Sequence, residues 1–423
     1  MFQTNLRSSV DYESQFLDDY LYLIKVFIRF FAPDLFSIKP DRNVYHKSVI
    51  IRCVGWLFEG ISNLYTIVIL EPILNCFSLY LGGRKNFGRT LVTLVLTYLC
   101  LIICLLYAYL IPRRLSMLYS CYLYNQYYST DCNIYSEVVW FFIHFLCSHL
   151  LIINIYFHYL SAVFVNPGSV PQILPMNHLK KSQITVCSRC FVSRPVRAHH
   201  CTICKKCILR MDHHCPWTAN CIGLYTHRHF YLVLIFMSIG GIYLLTVGWS
   251  DFKSYLREQD QHQVNITAKK SLIQSDKFMY VPSSKFSCYL FKACFHFGFI
   301  AIPLVCALCA WHTYLISNGE TSIERHINAK FTRTLRERGV IYRNPHNFGL
   351  FLNWVKFLGL IDKFDVDLAN LKCFRLYGLF CWRLLSRVIL PSFHAPYDDG
   401  YVYELNVTSA ESIIQSLAES GIT

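Results

Sequence analysis

The chain has 423 residues, of which 54% are hydrophobic and only 16% charged, where an ordinary soluble domain carries roughly 25% charged residues. So little charge cannot cover several water-soluble cores, and 14 Pro, 18 Gly and a 16% aromatic share exclude a disordered, collagen-like or coiled-coil chain. The balance of 40 Lys+Arg against 26 Asp+Glu leaves +14, which on so hydrophobic a chain points to a cytosolic membrane face ahead of nucleic acid.

Residues 1–15 are polar and show no secretory-signal pattern. The apolar patch at 20–36 is broken by Lys25, Arg29 and Asp34, as expected of an interfacial or packed helix. Between 49 and 83 the longest uncharged runs are 11 and 12 residues, cut by Arg52, Glu59 and Glu71; runs that short are more often interfacial or re-entrant than spanning. Four later stretches are long and uncharged enough to cross a bilayer as helices: 91–111 (21 residues), 138–165 (28), 230–249 (20) and 293–316 (24, with Pro303 a kink). The expected class is therefore an all-α polytopic membrane protein. Its transmembrane helices run over 89–112, 138–165, 230–249 and 288–316, with a cysteine-rich domain at 166–229 between the second and third.

Basic residues set the expected orientation. Residues 166–229 hold nine Lys/Arg and one acid, Asp212, and the segments before span one (Arg84, Lys85, Arg89) and after span four (Arg325, Lys330, Arg333, Arg336, Arg338) are also basic. The positive-inside rule puts all three in the cytosol. The termini, 1–88 and 317–423, are then cytosolic, and 113–137 and 250–287 are lumenal. The second loop carries the sequon Asn265-Ile266-Thr267 on the side where glycosylation occurs, whereas Asn406-Val407-Thr408 lies on the other side. Cys121 and Cys132 share the first lumenal loop and are a candidate disulfide. The tail at 371–390 is amphipathic and basic, suited to the membrane surface. No internal repeat is evident.

Seven of the 20 cysteines fall between Cys187 and Cys221. The segment contains Cys187-x2-Cys190, Cys201-x2-Cys204 and Cys204-x2-Cys207, with the pairs His199/His200 and His213/His214. A C-x-x-C turn aims two thiolates at one ion, and tetrahedral zinc needs two further ligands. A disulfide-linked loop is the bland alternative, disfavoured in the reducing cytosol. Two Cys3His sites would use six cysteines and two histidines, leaving one cysteine and two histidines. The expected leftover is Cys215, which forms no C-x-x-C turn with a neighbour. In Asp212-His213-His214-Cys215 an acid, an imidazole and a thiol are the parts of an activated nucleophile. The competing reading makes Cys215 a spare ligand and Asp212 a solvated charge. Cys215 lies 15 residues before span three. A thiol at that boundary suits a substrate with a greasy end and a soluble end, such as a long-chain acyl-CoA, whose phosphates the basic finger could hold.

At these residues the chain resembles the DHHC-type protein S-acyltransferases, the palmitoyltransferases. The segment C-x2-C-x9-HC-x2-C-x2-C-x4-DHHC-x5-C, continuing as Pro216-Trp217 and Asn220-Cys221-Ile222-Gly223, follows the family's cysteine-rich domain almost throughout. Thr321-Ser322-Ile323-Glu324 resembles the family's T-T-x-E motif, with Ser second. Asn344-Pro345, Gly349 and Asn353-Trp354 resemble its C-terminal motif. One departure is Thr226, three residues after Gly223, where the family usually has Asn.

The resemblance implies a structural zinc held by Cys187, Cys190, His200 and Cys207, and a second held by Cys201, Cys204, His214 and Cys221. It makes Cys215 the nucleophile, His213 its base and Asp212 the orienting acid, with His199 unassigned. Trp217 and Phe230 would meet the acyl chain, although both also read as interfacial aromatics. Glu324, Thr321 and Asn353 would be supports. The implied reaction is a two-step transfer of palmitoyl from palmitoyl-CoA, through a Cys215 acyl-enzyme, to cysteines of membrane-associated protein substrates at the endoplasmic reticulum and/or Golgi. Two rivals use the same residues. A zinc-bearing scaffold would not need Cys215. A zinc transporter would need a polar path, for which His144, His149 and His158 share no single helical spacing and have no carboxylate partner within the span.

Overall fold

A computed structural model of the chain describes residues 83–112, 114–115, 118–119, 121–122, 134–172, 184–265, 285–362 and 373–406, all within the unit Leu81–Thr423. The interfacial helices expected before residue 83, Cys132 and the greater part of both sequons lie outside the described residues.

Helix α1 covers Arg84–Leu105 and ends in a π turn at Leu106–Leu110; Gly83 starts it at φ 111°, a backbone that glycine adopts freely. Helix α2 is Ile134–Phe164. It stops just ahead of Asn166-Pro167, where the ring of Pro167 disfavours helix at the preceding residue. Helix α3, His227–Asn265, runs well past the apolar stretch that predicted it. Helix α4 is Lys285–Ser317 and keeps Pro303 inside it. Each contains a segment long and apolar enough to cross a membrane: Lys85–Ala108, Ile134–Phe164, His227–Ser250 and Tyr289–Ser317.

Helix α3 is central, packing on α2 along one side and α4 along another, while α1 leans on α4. Leu105, Phe252, Phe291 and Phe295 fill the far end of this bundle, and Leu99, Tyr159 and Val233 join α1, α2 and α3.

The all-α expectation fails between α2 and α3. That segment holds three antiparallel hairpins: β1 (Ile184–Val186) with β2 (Ser193–Pro195), β3 (His199–Cys201) with β4 (Lys206–Ile208), and β5 (His213–Cys215) with β6 (Asn220–Ile222). Strands of three residues leave little apolar surface to bury, so they depend on what their turns hold.

The hairpins also overturn the expectation of no repeat. Cys187, Cys201 and Cys215 stand 14 residues apart, each at the start of a turn. Three residues on come Cys190, Cys204 and Thr218, followed by Phe191, Lys205 and Ala219 at φ 55°, 58° and 50°. The third copy carries Thr where the others carry a second cysteine, which hides the period in the sequence.

Beyond α4 lie α5 (Ser322–Arg336), α6 (Leu350–Phe357) and α7 (Cys373–Leu384), the last ending in a π turn at Leu385–Ile389. Residues 397–406 then cross back over the finger. Tyr401 packs on Ala198, Leu209 and Leu224, and the Asn406 N–H donates to the Pro345 carbonyl at 2.8 Å. Gly400 sits at φ 85° so close to Leu224 that a Cβ would lie 2.6 Å from it.

Candidate functional site

Two four-residue sets in the finger each gather three sulfurs and one ring nitrogen within 4.8 Å of one another: Cys187, Cys190, His200 and Cys207, and Cys201, Cys204, His214 and Cys221. In the first, His200 Nδ1 lies 3.7, 3.6 and 4.0 Å from the sulfurs of Cys187, Cys190 and Cys207, and the Cys190 and Cys207 sulfurs are 3.4 Å apart. In the second, His214 Nδ1 lies 3.7, 3.4 and 3.5 Å from Cys201, Cys204 and Cys221, with Cys204 and Cys221 3.5 Å apart. Bond lengths of about 2.3 Å to sulfur and 2.0–2.1 Å to nitrogen put tetrahedral donors roughly 3.5–3.8 Å apart. Both sets have the chemistry and spacing of a structural metal site, and they interleave because the second hairpin supplies both.

The third hairpin, β5–β6, places Cys215 in the position where the other two carry a first metal ligand, but no set of that kind includes it. Cys215 is only 3% exposed, packed among Phe230, Tyr231, Leu234 and Cys309. His213 and Thr218 are the polar residues that act on its thiol. His213 Nδ1 bonds Asp212 Oδ2 at 2.5 Å, which leaves Nε2 for the thiol. Asp212 is 1% exposed and accepts two further bonds from Ser322, N–H to Oδ1 at 2.7 Å and O–H to Oδ2 at 2.9 Å.

These contacts set the protonation states. Burial resists ionisation of Asp212, but the His213 hydrogen bond and nearby imidazoles outweigh it and hold the carboxyl well below its usual range. Burial also disfavours the His213 cation, yet the bonds to Asp212 and Cys215 raise it to about 10. For Cys215 burial raises the thiol, and the His213 bond and charge more than offset it, bringing the thiol below its ordinary value. The arrangement sets a buried thiol, lowered from its ordinary value, beside an imidazole held by a carboxylate.

The other predicted residues fall into several roles. Phe230 is buried and meets the His213 ring edge-on at 5.3 Å. Trp217 is 48% exposed and is fixed by its backbone, its carbonyl accepting from Tyr159 O–H at 2.9 Å. Thr321 and Glu324 close a capping box at the start of α5, and Glu324 also holds Arg197 of the finger by two bonds of 2.5 and 2.6 Å. Asn353 donates to the Ser317 carbonyl at 2.9 Å and accepts from Phe348 N–H at 3.0 Å, anchoring the end of α4. His199 belongs to neither metal set.

Sequence reasoning missed three residues. Ser322 is the direct partner of Asp212, and only its place in the T-S-I-E string hinted at it. Asn220 spreads its amide over the Ala162, Val163 and Val165 carbonyls, capping α2 from the finger. His312 of α4 is 2% exposed, with its ring 5.9 Å from His213. Thr226, the noted departure, accepts from Gly223 N–H at 3.0 Å and donates to the Cys221 carbonyl at 2.9 Å, so its hydroxyl closes the turn behind a metal ligand.

Fold and site together define a multi-pass membrane protein whose cysteine-rich finger sets a buried thiol near an imidazole and a carboxylate at the end of the helix bundle. A family model described as DHHC palmitoyltransferase matches residues 180–329. Palmitoyltransferase ZDHHC16A of Danio rerio is 30% identical over 393 residues, covering 86% of this chain and 89% of that protein. Palmitoyltransferase ZDHHC16 of Homo sapiens is 34% identical over 271 residues, 62% of this chain and 65% of that protein. Probable protein S-acyltransferase 15 of Arabidopsis thaliana is 28% identical over 205 residues, 47% and 72% of the two chains. The chain belongs to the DHHC palmitoyltransferase family, and protein S-acyl transfer is the activity that membership carries.

Proposed function

We propose that the chain is a protein-cysteine S-palmitoyltransferase working through a Cys215 acyl-enzyme at the cytosolic membrane face of the endoplasmic reticulum and/or Golgi. The observation that carries this reading is the buried Cys215 thiol, lowered by the neighbouring His213, which is itself bonded to Asp212, outside either metal set.

The Cys215 thiolate attacks the thioester carbonyl of palmitoyl-CoA. The bond from that carbonyl carbon to the CoA sulfur breaks, and the departing sulfur takes the proton from His213. His213, now neutral, accepts the proton of a substrate cysteine. That thiolate attacks the acyl-enzyme, and Cys215 leaves as a thiolate beside a restored imidazolium. Asp212 holds the ring with Nε2 toward the sulfur and stabilises its cation, and Ser322 fixes Asp212. Phe230 excludes water from one face of His213 and forms part of the apolar wall that receives the acyl chain, with Trp217 at its mouth.

Two zinc ions, held by the two Cys3His sets, would fix the first two hairpins and through them the third. Four protein ligands leave each ion without an open position, so their contribution is structural. The nine Lys/Arg of residues 166–229 favour a cytosolic finger. Cys121, between the first two spans, is disulfide-bonded, which favours an oxidising lumen on the opposite side.

The test is labelling with an alkyne palmitate analogue in wild type and Cys215→Ser. Hydroxylamine-sensitive label on the wild-type chain and its loss in the variant is the expected result. Equal labelling of both would remove Cys215 from the chemistry and favour a scaffold.

A further inference from the structure

Beyond the turn that delivers Ser322 to Asp212, α5 carries charge that the reaction does not use. Ile323, Ile327, Phe331 and Leu335 recur every four residues and form one apolar stripe, while Arg325, Lys330, Arg333 and Arg336 lie on the opposite half of the helix. The stripe faces the protein. Ile323 packs on Cys201, Ile208, Met211 and Cys221 of the finger. Phe331 stacks on Tyr342 at 5.9 Å, and the Tyr342 hydroxyl donates to Asn328 Oδ1 at 2.8 Å. The basic half therefore points away from the finger.

The acids near the start of α5 are already committed. Glu324 holds Arg197. Glu320 accepts from Asn328 Nδ2 at 2.8 Å and lies 3.5 Å from Arg325, which also stacks over the Tyr314 ring. Lys330, Arg333 and Arg336 are exposed, and their side chains have no ion-pair or hydrogen-bond partner among the described residues. Glu337, at the C-cap, is the only exposed acid between 322 and 340. A positive-inside bias needs the count of cations, not their gathering on one half of a helix. Lys330, Arg333 and Arg336 also follow one another at i, i+3 spacing, so like charges are neighbours, an arrangement that an anionic partner relieves.

We propose that this basic half of α5 is the docking face for an acidic segment of the protein substrate, flanking the cysteine that receives the acyl group. Docking of this kind rests on the Cys215 acyl-enzyme reading and adds which substrates it accepts. Ser322 contacts Asp212, so α5 begins at the reacting residues and carries Lys330 and Arg336 about 12 and 21 Å away along its axis. An extended peptide covers about 3.3–3.6 Å per residue, which places its acidic residues roughly four to six positions from the target cysteine. Ile327 and Phe331, 38% and 52% exposed, offer apolar contact beside the charges. A lipid surface fits less well, since an interfacial helix turns its apolar stripe to the bilayer and here that stripe meets the finger and Tyr342.

The experiment uses the full-length protein in phosphatidylcholine nanodiscs. Acyl-enzyme formation from palmitoyl-CoA is measured first and by itself, so failure at Cys215 is distinguished from failure of docking. Transfer is then followed to two synthetic peptides with a single cysteine, one carrying a run of glutamates about five residues from it and the other glutamines there. The acidic peptide is expected to show a KM at least about tenfold lower, an advantage that shrinks as salt rises. The combined changes Lys330→Gln, Arg333→Gln and Arg336→Gln should remove that advantage and leave acyl-enzyme formation unchanged. If that triple variant fails to acylate Cys215, carbodiimide coupling of the acidic peptide to the wild-type chain decides. Amide cross-links from the peptide to Lys330 support docking, and their absence from Lys330 overturns it. Equal KM for the two peptides in wild type, an advantage kept by the folded triple variant, or a raised KM for palmitoyl-CoA in its place also overturns the assignment. So does a variant effect confined to nanodiscs containing phosphatidylserine, which would give the face to anionic lipid.

Discussion

Cys215 differs from the six other clustered cysteines in what faces it rather than in how its hairpin folds. The metal-bearing hairpins aim a second cysteine at their first; here Thr218 takes that place and His213 acts on the sulfur. Asp212 and His213 are bonded, yet each contributes to stability in its own pH window. His213 is raised above its ordinary 6.5 to about 10, so its stabilising contribution is full below 6.5 and lost as pH climbs through 10. Asp212 is depressed below its ordinary 3.8, so its contribution is present above that value and lost as pH falls beneath it. The pair should therefore persist across the neutral range. Asp212→Asn removes the acceptor that fixes the His213 tautomer, and acyl-enzyme formation measured by rapid quench should fall by about 10²–10⁴-fold. Ser322→Ala should fall less, because its N–H still reaches Asp212, and Ser322→Thr should restore the rate. The Asp212, His213 and Cys215 trio was legible because four consecutive residues carry it. Ser322 was not, since its contact closes over 110 residues and a serine after a threonine carries no mark of its partner.

At the scale of elements, the finger is joined to the bundle by a few polar clasps. Asn220 caps α2, Tyr159 of α2 holds the Trp217 carbonyl, and the buried Arg197–Glu324 pair ties the first hairpin pair to α5. Burial works against ionised Glu324, but Arg197 outweighs it and lowers the carboxyl to about 2. A depressed carboxyl stabilises above its ordinary 4.5 and loses that contribution as pH falls through 2, so this clasp is indifferent to physiological pH. Glu324→Gln leaves a guanidinium buried without its counter-charge and should cost about 3–5 kcal/mol, read as a lower melting temperature in detergent. A melt unchanged within a degree would show the pair to be dispensable. The helices could be read from uncharged runs because lipid imposes that pattern on every span. The hairpins could not, because strands this short have no alternating pattern to show, and the 14-residue period lies in backbone conformation and one substituted ligand.

For the whole molecule, support runs in one direction toward the thiol. Helix α6 anchors the end of α4 through Asn353 and through Trp354, whose Nε1 donates to Ser317 Oγ at 3.0 Å. The turn after α4 presents Ser322 to Asp212, and Asp212 orients His213 against Cys215. The tail crosses back so that Tyr403 packs beneath Arg197, 5.0 Å from ring centre to guanidinium. Composition revealed the membrane and the basic face, since both depend on averages over many residues. The order of this support was hidden, because each link joins segments separated by tens of residues and depends on one side chain at each end.

On the proposed mechanism Cys215 carries the acyl group. The full-length protein should be mixed with palmitoyl-CoA, quenched within the first turnover and digested, and its modified peptides sequenced by mass spectrometry. A hydroxylamine-labile palmitoyl group on the peptide containing Cys215, formed before any transfer to a substrate cysteine, is the predicted result. An acyl group that forms at the same rate on another cysteine while Cys215 stays free would place the chemistry at that other thiol.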